Sequence, residues 1–315
     1  MIFSTCLIAG EFRIPGTDLF KRNLIEMKNN NFVDQLKLRR LDDNHFAGEN
    51  YDIGTRAIFG GHVLAQAILA AYEMVPDDRH LHSLHSYFIL PGDPGKTIRY
   101  RVDFIRDGGS FSTRRISAIQ EDREIFIMSA SFQKKESGYD HQDDPPKNVK
   151  PPEELPSFDL LKEKWVEKLP PIAAKLLEVE FPFEFKPLDN ANPLIPGKHA
   201  AHRKLWFRYR GNDELTRSQQ DALLAYVSDY NLLSTAILPH ERAAFTNTIM
   251  ASIDHAMWFF RPFDVREWNL YSLRSPSAIS ARGFTTGAMY DRSGNYLIRV
   301  AQEGLIRPVK SKSTP

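Results

Sequence analysis

Two halves of the chain match each other at a constant offset, and an internal repeat constrains the architecture before any single element is assigned. Leu64-Ala65-Gln66-Ala67-Ile68-Leu69 lines up with Leu233-Ser234-Thr235-Ala236-Ile237-Leu238, an offset of 169 (233 − 64). At the same offset Ser83 meets Ser252 and Gln133 meets Gln302, but Gly60 meets Asp229. With only two copies, and a period far above that of a solenoid, the chain reads as a tandem pair of domains. One copy carries a carboxylate where the other has none, which points to one working site and one that has lost it. The 315 residues suffice for two domains, each with its own core.

The first copy runs over residues 32–133. A helix follows Gly60-Gly61, with Val63, Leu64, Ala67, Ile68, Ala71 and Met74 at helical spacing, and Pro76 ends it. Ile98, Tyr100, Val102 and Phe104 then alternate with Arg99, Arg101 and Asp103, the period of a strand with one buried face. Two further runs, Phe111 to Ile119 and Ile125 to Phe132, read as a hairpin. The second copy, within residues 201–309, repeats this plan. Leu232, Leu233, Ala236 and Ile237 give the expected stripe of its helix, stopped by Pro239, and four strand runs follow. A helix followed by consecutive antiparallel strands is an α+β arrangement. Laying the copies edge to edge would make one continuous sheet and hide two edges.

Between the copies, residues 134–200 differ in composition. Over half of the chain's 20 prolines fall here, and Asp143-Asp144-Pro145-Pro146 reads as punctuation. Phe158, Leu161, Trp165, Leu169, Leu176 and Leu177 suggest a short amphipathic helical stretch, broken at Pro170-Pro171, that lies against the domain pair. Residues 1–31 read as an N-terminal extension and 310–315 as a tail. The opening Met1 to Ala9 is apolar but has no basic segment before it, so it reads as a loose terminus and not a secretory signal.

Composition narrows the function. A net charge of +1 gives no reason to expect nucleic acid as partner. Cys6 is the single cysteine, so neither an intrachain disulfide nor a thiolate metal site can be built. No apolar run approaches the roughly 20 residues that cross a bilayer. The chain has no Gly-x-Ser-x-Gly elbow, phosphate-binding loop, Gly-x-Gly-x-x-Gly or His-Glu-x-x-His. His80 and His82 share a strand face, yet no third ligand stands nearby, and the plainer reading is histidines bonded to neighbours. Ser252-Ile253-Asp254-His255-Ala256-Met257-Trp258-Phe259 is denser in unusual residues; its bland reading is a core strand whose Asp254 and His255 are satisfied by backbone.

A resemblance rests on many ordered motifs. Phe59-Gly60-Gly61-His62-Val63-Leu64-Ala65-Gln66-Ala67, His82-Ser83-Leu84-His85-Ser86-Tyr87-Phe88, Pro91-Gly92-Asp93-Pro94 and Ser129-Ala130-Ser131-Phe132-Gln133 come from the first copy. Ser228-Asp229-Tyr230, Ile253-Asp254-His255-Ala256-Met257-Trp258-Phe259, Ser280-Ala281-Arg282-Gly283 and Ala301-Gln302-Glu303-Gly304 come from the second. Together they resemble the type II acyl-CoA thioesterases, bacterial and peroxisomal, from about Phe32 to Arg307. The resemblance implies a double hotdog, two modules each with a long helix wrapped by an antiparallel sheet. It implies hydrolysis of fatty acyl-CoA to fatty acid and coenzyme A, with no cofactor and no metal. By motif it puts the active residues at Asp229, Ser252 and Gln302.

Those groups suit attack of water on a thioester. Neither Ser252 nor Gln302 is basic, so Asp229 is the acceptor for the water's proton, and the other two orient the water. Ser252 has no histidine base in its motif, which disfavours an acyl-serine route. Two alternatives stand beside this one: a non-catalytic acyl-CoA-binding or scaffold protein, and a hotdog enoyl-CoA hydratase. Against the hydratase, the histidine that follows Asp229 comes only at His240, past Pro239. The family implies a peroxisomal location and leaves a homo-oligomer open. The chain ends Ser313-Thr314-Pro315 where the peroxisomal branch has Ser-Lys-Leu, which makes the cytoplasm the alternative.

Overall fold

The computed structural model describes residues 32–50, 56–167, 169, 181–244 and 246–309. The N-terminal extension with Cys6, Leu176, Leu177 and the 310–315 tail lie outside them. The order is α1 (Phe32–Gln35), β1 (Leu38–Arg40), β2 (His45–Gly48), α2 (Gly60–Tyr72), β3 (Arg79–Phe88), β4 (Ile98–Asp107), β5 (Phe111–Gln120) and β6 (Arg123–Lys134). Then follow α3 (Phe158–Val166), β7 (Phe183–Pro187), β8 (His202–Tyr209), α4 (Arg217–Ser228) and a 3₁₀ segment (Leu233–His240). The chain closes with β9 (Thr248–Ser252), β10 (Asp254–Phe259), β11 (Asn269–Ile279), β12 (Arg282–Tyr290) and β13 (Tyr296–Pro308).

The strands form one sheet in the order β1-β2-β4-β5-β6-β3-β10-β13-β12-β11-β8-β7, with β9 also on β13. The two halves join where β3 pairs antiparallel with β10, from Tyr87 opposite Asp254 to Ser83 opposite Trp258. That continuous sheet is the double hotdog expected from the motifs. Inside it α2 packs on α4. Both helices are buried on nearly every side, as expected of helices enclosed by a sheet.

The second central helix is not where the apolar stripe suggested. Leu232, Leu233, Ala236 and Ile237 lie in the 3₁₀ segment or just before it, and α4 precedes Asp229. Its N-terminus is set by a capping box: Thr216 Oγ1 accepts from Gln219 N, and Gln219 Oε1 accepts from Thr216 N. The connector contributes structure of its own. Its Trp165 meets Phe158 edge-on at 5.5 Å, and Phe158 packs on the main core. Lys150 O accepts from the Trp206 indole, and Glu153 pairs with both terminal nitrogens of Arg292. Its strand β7 forms the edge beside β8.

Candidate active site

Asp229 is the residue that closes α4, and its side chain crosses to the other half of the molecule. Oδ2 accepts a hydrogen bond from Gly61 N, at 3.0 Å, in the first turn of α2. The N-terminus of one module's helix therefore meets the carboxylate at the C-terminus of the other's, a favourable placement for negative charge. The approach depends on Gly60, because a Cβ there would stand 2.7 Å from Asp229 Oδ2. Asp229's side chain is only 6% exposed.

A change of ladder register aims the next two groups. Ser252 pairs with Gly304 and Ala256 with Ala301, so one extra residue sits on the β9–β10 side between them. Residues three apart on a regular strand face opposite ways. A bulge removes that restriction, and both Ser252 and His255 reach the same side chain on β13. Asp254 is spent on the bulge itself, its Oδ1 accepting Glu303 N at 2.6 Å.

That shared side chain is Gln302, which is fully buried. Its Nε2 stands 2.7 Å from Asp229 Oδ1, 3.1 Å from Ser252 Oγ and 3.2 Å from His255 Nδ1. The structure thus brings all three expected residues together. It adds His255, whose place in the cluster could not be read from the Asp-His dipeptide, because the bulge that turns it inward leaves no mark in the sequence pattern. His255 Nε2 lies 2.9 Å from Ser228 Oγ, which also contacts Ala225 O at 2.8 Å. In the tautomer that satisfies both ring nitrogens, Nε2–H donates to Ser228 and Nδ1 accepts from Gln302. Burial holds the imidazole pKa below its ordinary value, opposed by the Asp229 carboxylate 3.9 Å away. Among the described residues Ser252 makes no hydrogen bond to His255. Gln302 Oε1, also buried, has no hydrogen-bond partner among them.

The repeat must be re-registered. In the first half the matching bulge lies where Leu81 pairs with Phe132 and Ser83 with Ser131. Superposing the two bulges puts Leu81 on Ser252 (252 − 81 = 171) and Phe132 on Gly304 (304 − 132 = 172). Ser83 and Gln133 are therefore not the counterparts of Ser252 and Gln302. The counterparts are Leu81 and Ala130, with Leu84 in the place of His255, and all three are buried. Nor does Gly60 correspond to Asp229: one begins a helix and the other ends one. Gln133 instead donates to Glu136 at the surface.

The place related to the site by the molecule's approximate two-fold is where α2 ends and α4 begins. Here Tyr72 Oη donates to Asp221 Oδ2 at 2.5 Å and accepts Leu81 N at 2.9 Å, while Arg217 Nε stands 3.1 Å from Asp221. This cluster ties the modules together and has no hydroxyl–amide pair. Elsewhere, His82 Nε2 is 2.8 Å from Ser131 Oγ, and among the described residues no three His, Cys, Asp or Glu side chains converge as metal ligands do. No helix among them is long and apolar enough to cross a membrane.

Comparison with known proteins finds relatives that match over most of the chain. The family model described as acyl-CoA thioesterase matches residues 172–305, and that of the acyl-CoA thioesterase N-terminal domain matches residues 48–133. Acyl-CoA thioesterase 2 of Haemophilus influenzae is 39% identical over 279 residues, covering 88% of this chain and 97% of that protein. Human acyl-coenzyme A thioesterase 8 is 38% identical over 281 residues, covering 86% and 87%. The crystal structure of an acyl-CoA thioesterase II from Mycobacterium marinum superposes with a TM-score of 0.72 at 34% identity, covering 88% of this chain and 98% of that one. A hot dog protein of unknown function from Alicyclobacillus acidocaldarius, at 15% identity and a TM-score of 0.70, shares the fold.

Proposed function

The chain belongs to the acyl-CoA thioesterase family, and on that premise we propose that it hydrolyses fatty acyl-CoA to free fatty acid and coenzyme A at Asp229, Ser252 and Gln302. The observation that carries this reading is the convergence of a carboxylate and a hydroxyl on one buried amide, 2.7 and 3.1 Å from Gln302 Nε2. Water held by Ser252 Oγ and the unpartnered Gln302 Oε1 attacks the thioester carbonyl carbon, and Asp229 takes its proton. The tetrahedral adduct collapses with loss of the thiolate, which recovers that proton and leaves as CoA thiol. The acid product keeps the oxygen from water. His255 acts through Gln302: by accepting at Nδ1 it favours the amide rotamer that leaves Oε1 free. None of these steps calls for a cofactor or metal; coenzyme A enters as part of the substrate.

The position of Ser252 supports direct hydrolysis over an acyl-serine, since its neighbour is an amide and not a base. The first module is catalytically degenerate in this reading, with Leu81, Leu84 and Ala130 in the corresponding place, yet it supplies the helix N-terminus that holds Asp229. Mixing the purified chain with palmitoyl-CoA and a thiol reagent tests the assignment. Continuous release of thiol is the expected result; binding without release would identify an acyl-CoA-binding protein instead.

Location and assembly belong to the same proposal. One relative is named a peroxisomal acyl-coenzyme A thioester hydrolase, from Saccharomyces cerevisiae, at 25% identity, which supports peroxisomes over cytoplasm. A fluorescent fusion at the N-terminus that gives diffuse signal without puncta would select the cytoplasm. Association into a homo-oligomer is read directly by light scattering.

A further inference from the structure

The helix α4 stops at the residue before Asp229. The carbonyls of a helix's last turn have no partners within the helix, and Asn231, at φ +65°, turns the chain out of the helical path just beyond. Side chains take two of those carbonyls. Ala225 O accepts from Ser228 Oγ at 2.8 Å, and Ser228 O accepts from the hydroxyl of Tyr271 at 2.8 Å. Tyr271 comes from β11; it is buried, and its ring lies edge-on to Phe207 at 6.3 Å. The neighbouring strand β12 makes room for it, since a Cβ on Gly287 would overlap the Tyr271 ring and stand 3.0 Å from its hydroxyl oxygen. Phenylalanine would fill the same core without burying a hydroxyl, and glycine weakens a strand interior. Both costs point to a use for the hydroxyl.

The peptide that Tyr271 holds is the one joining Ser228 to Asp229. Gln302 Nε2 reaches Asp229 Oδ1 at 2.7 Å, and His255 links Gln302 to Ser228 Oγ through its two ring nitrogens, at 3.2 and 2.9 Å. These contacts close a circuit, Asp229–Gln302–His255–Ser228, whose last link is the Ser228–Asp229 peptide itself. A rotation of that peptide would swing the Asp229 side chain away from Gln302 and from Gly61 N together. The hydroxyl of Tyr271 restrains that rotation. Burial, with the Asp229 carboxylate nearby, holds the phenol well above its ordinary pKa, so it stays a donor.

We propose that Tyr271 is a positioning residue for hydrolysis: through the Ser228 carbonyl it fixes the peptide plane that aims Asp229 at the attacking water. The proposal rests on the thioesterase reading of the cluster. The hydroxyl is spent on the Ser228 carbonyl, so its effect on the water passes through Asp229, and substrate affinity does not depend on it.

Tyr271→Phe keeps the ring and deletes the hydroxyl. With palmitoyl-CoA, kcat should fall by about tenfold, the scale of a base displaced by less than an ångström, while KM stays within about twofold. The same substitution in an Asp229→Asn background should change kcat by less than about twofold, because the group it positions is already disabled. A lower melting temperature accompanies the loss of any buried hydrogen bond; coupling to Asp229 does not. Unchanged kcat overturns the proposal, as does the same loss in both backgrounds or a loss confined to KM. Should Tyr271→Phe fail to fold, Gly287→Ala gives an independent reading. It crowds the ring away from Ser228 O while keeping the hydroxyl group, and its loss of kcat should again vanish in the Asp229→Asn background. Equal losses in the two backgrounds, or none in either, overturn the proposal. Wild-type enzyme that released no thiol from any acyl-CoA would instead sink the thioesterase reading itself.

Discussion

Gly60 and Asp229 come from different halves of the molecule, yet a single methyl group added to Gly60 would stand 2.7 Å from the Asp229 carboxylate. The absence of a side chain at Gly60 is what lets the helix N-terminus and the carboxylate share one hydrogen bond. Gly60→Ala should therefore lower kcat by about 10- to 100-fold, the scale expected when a catalytic group is displaced by a fraction of an ångström to an ångström. Its melting temperature should fall little, because alanine favours the helix. Unchanged turnover would show that Asp229 does not need its bond to Gly61.

Asp229→Asn keeps the shape of the side chain and removes its basicity. A loss in kcat of roughly 100-fold or more is expected for a missing general base, with a near-normal melting curve. A variant that melts normally and still turns over like wild type removes Asp229 from the chemistry.

Gln302→Ala should cut kcat by about 100-fold, because water, Ser252 and Asp229 lose their common partner. Gln133→Ala should leave kcat unchanged. Steady-state thiol release from both variants makes the comparison; equal losses would mean that the first module carries chemistry as well.

The motifs picked out Asp229, Ser252 and Gln302, three side chains that the structure brings together, while the repeat reached them through a misalignment. On the inner strand the true offset differs from 169 by two residues, a slip that keeps every side chain on its own face. Alternation along β3 and β9 could not reveal it. The helix was misplaced for a related reason: Leu232, Leu233, Ala236 and Ile237 form a cleaner stripe than α4, whose buried face includes Gln220 and Asp221. The start of α4 is marked by Thr216-x-x-Gln219, the spacing of the capping box that the structure forms there. His255 and the Tyr72–Asp221–Arg217 cluster were out of reach, since both depend on contacts between elements far apart in the chain.

Acid should destabilise the fold. Burial pushes the fully buried His62 down to about 4 from 6.5 and lowers His255 as well. As pH falls below 6.5 the unfolded chain binds protons that these two imidazoles refuse, so stability falls with it; for His62 the linkage is worth roughly 3 kcal/mol by pH 4. Asp221 has the opposite sign. Burial raises its carboxyl to about 6 from 3.8, against the opposing pull of Arg217 and Tyr72, so between those values the folded chain holds a proton that the unfolded chain has lost. Melting temperatures should drop from pH 6.5 to 4, and Asp221→Asn should steepen the drop. A shallower profile in the variant would reverse the sign assigned to Asp221.

The pairing of β3 with β10 makes the two halves behave like the partners of a symmetric dimer joined into one polypeptide. In a dimer of identical subunits any substitution appears at both symmetry-related places, so a catalytic pocket cannot change on one side alone. A single chain has no such bond between its two places. One can hold Asp229, Ser252 and Gln302, while the other fills with Leu81, Leu84 and Ala130 and is fastened by Tyr72 and Asp221. Fusion thus permits a division of labour, one junction gathering Asp229, Ser252 and Gln302 and its twin serving as a rivet; the second half carries all three side chains, and the first supplies the Gly61 N–H that holds Asp229.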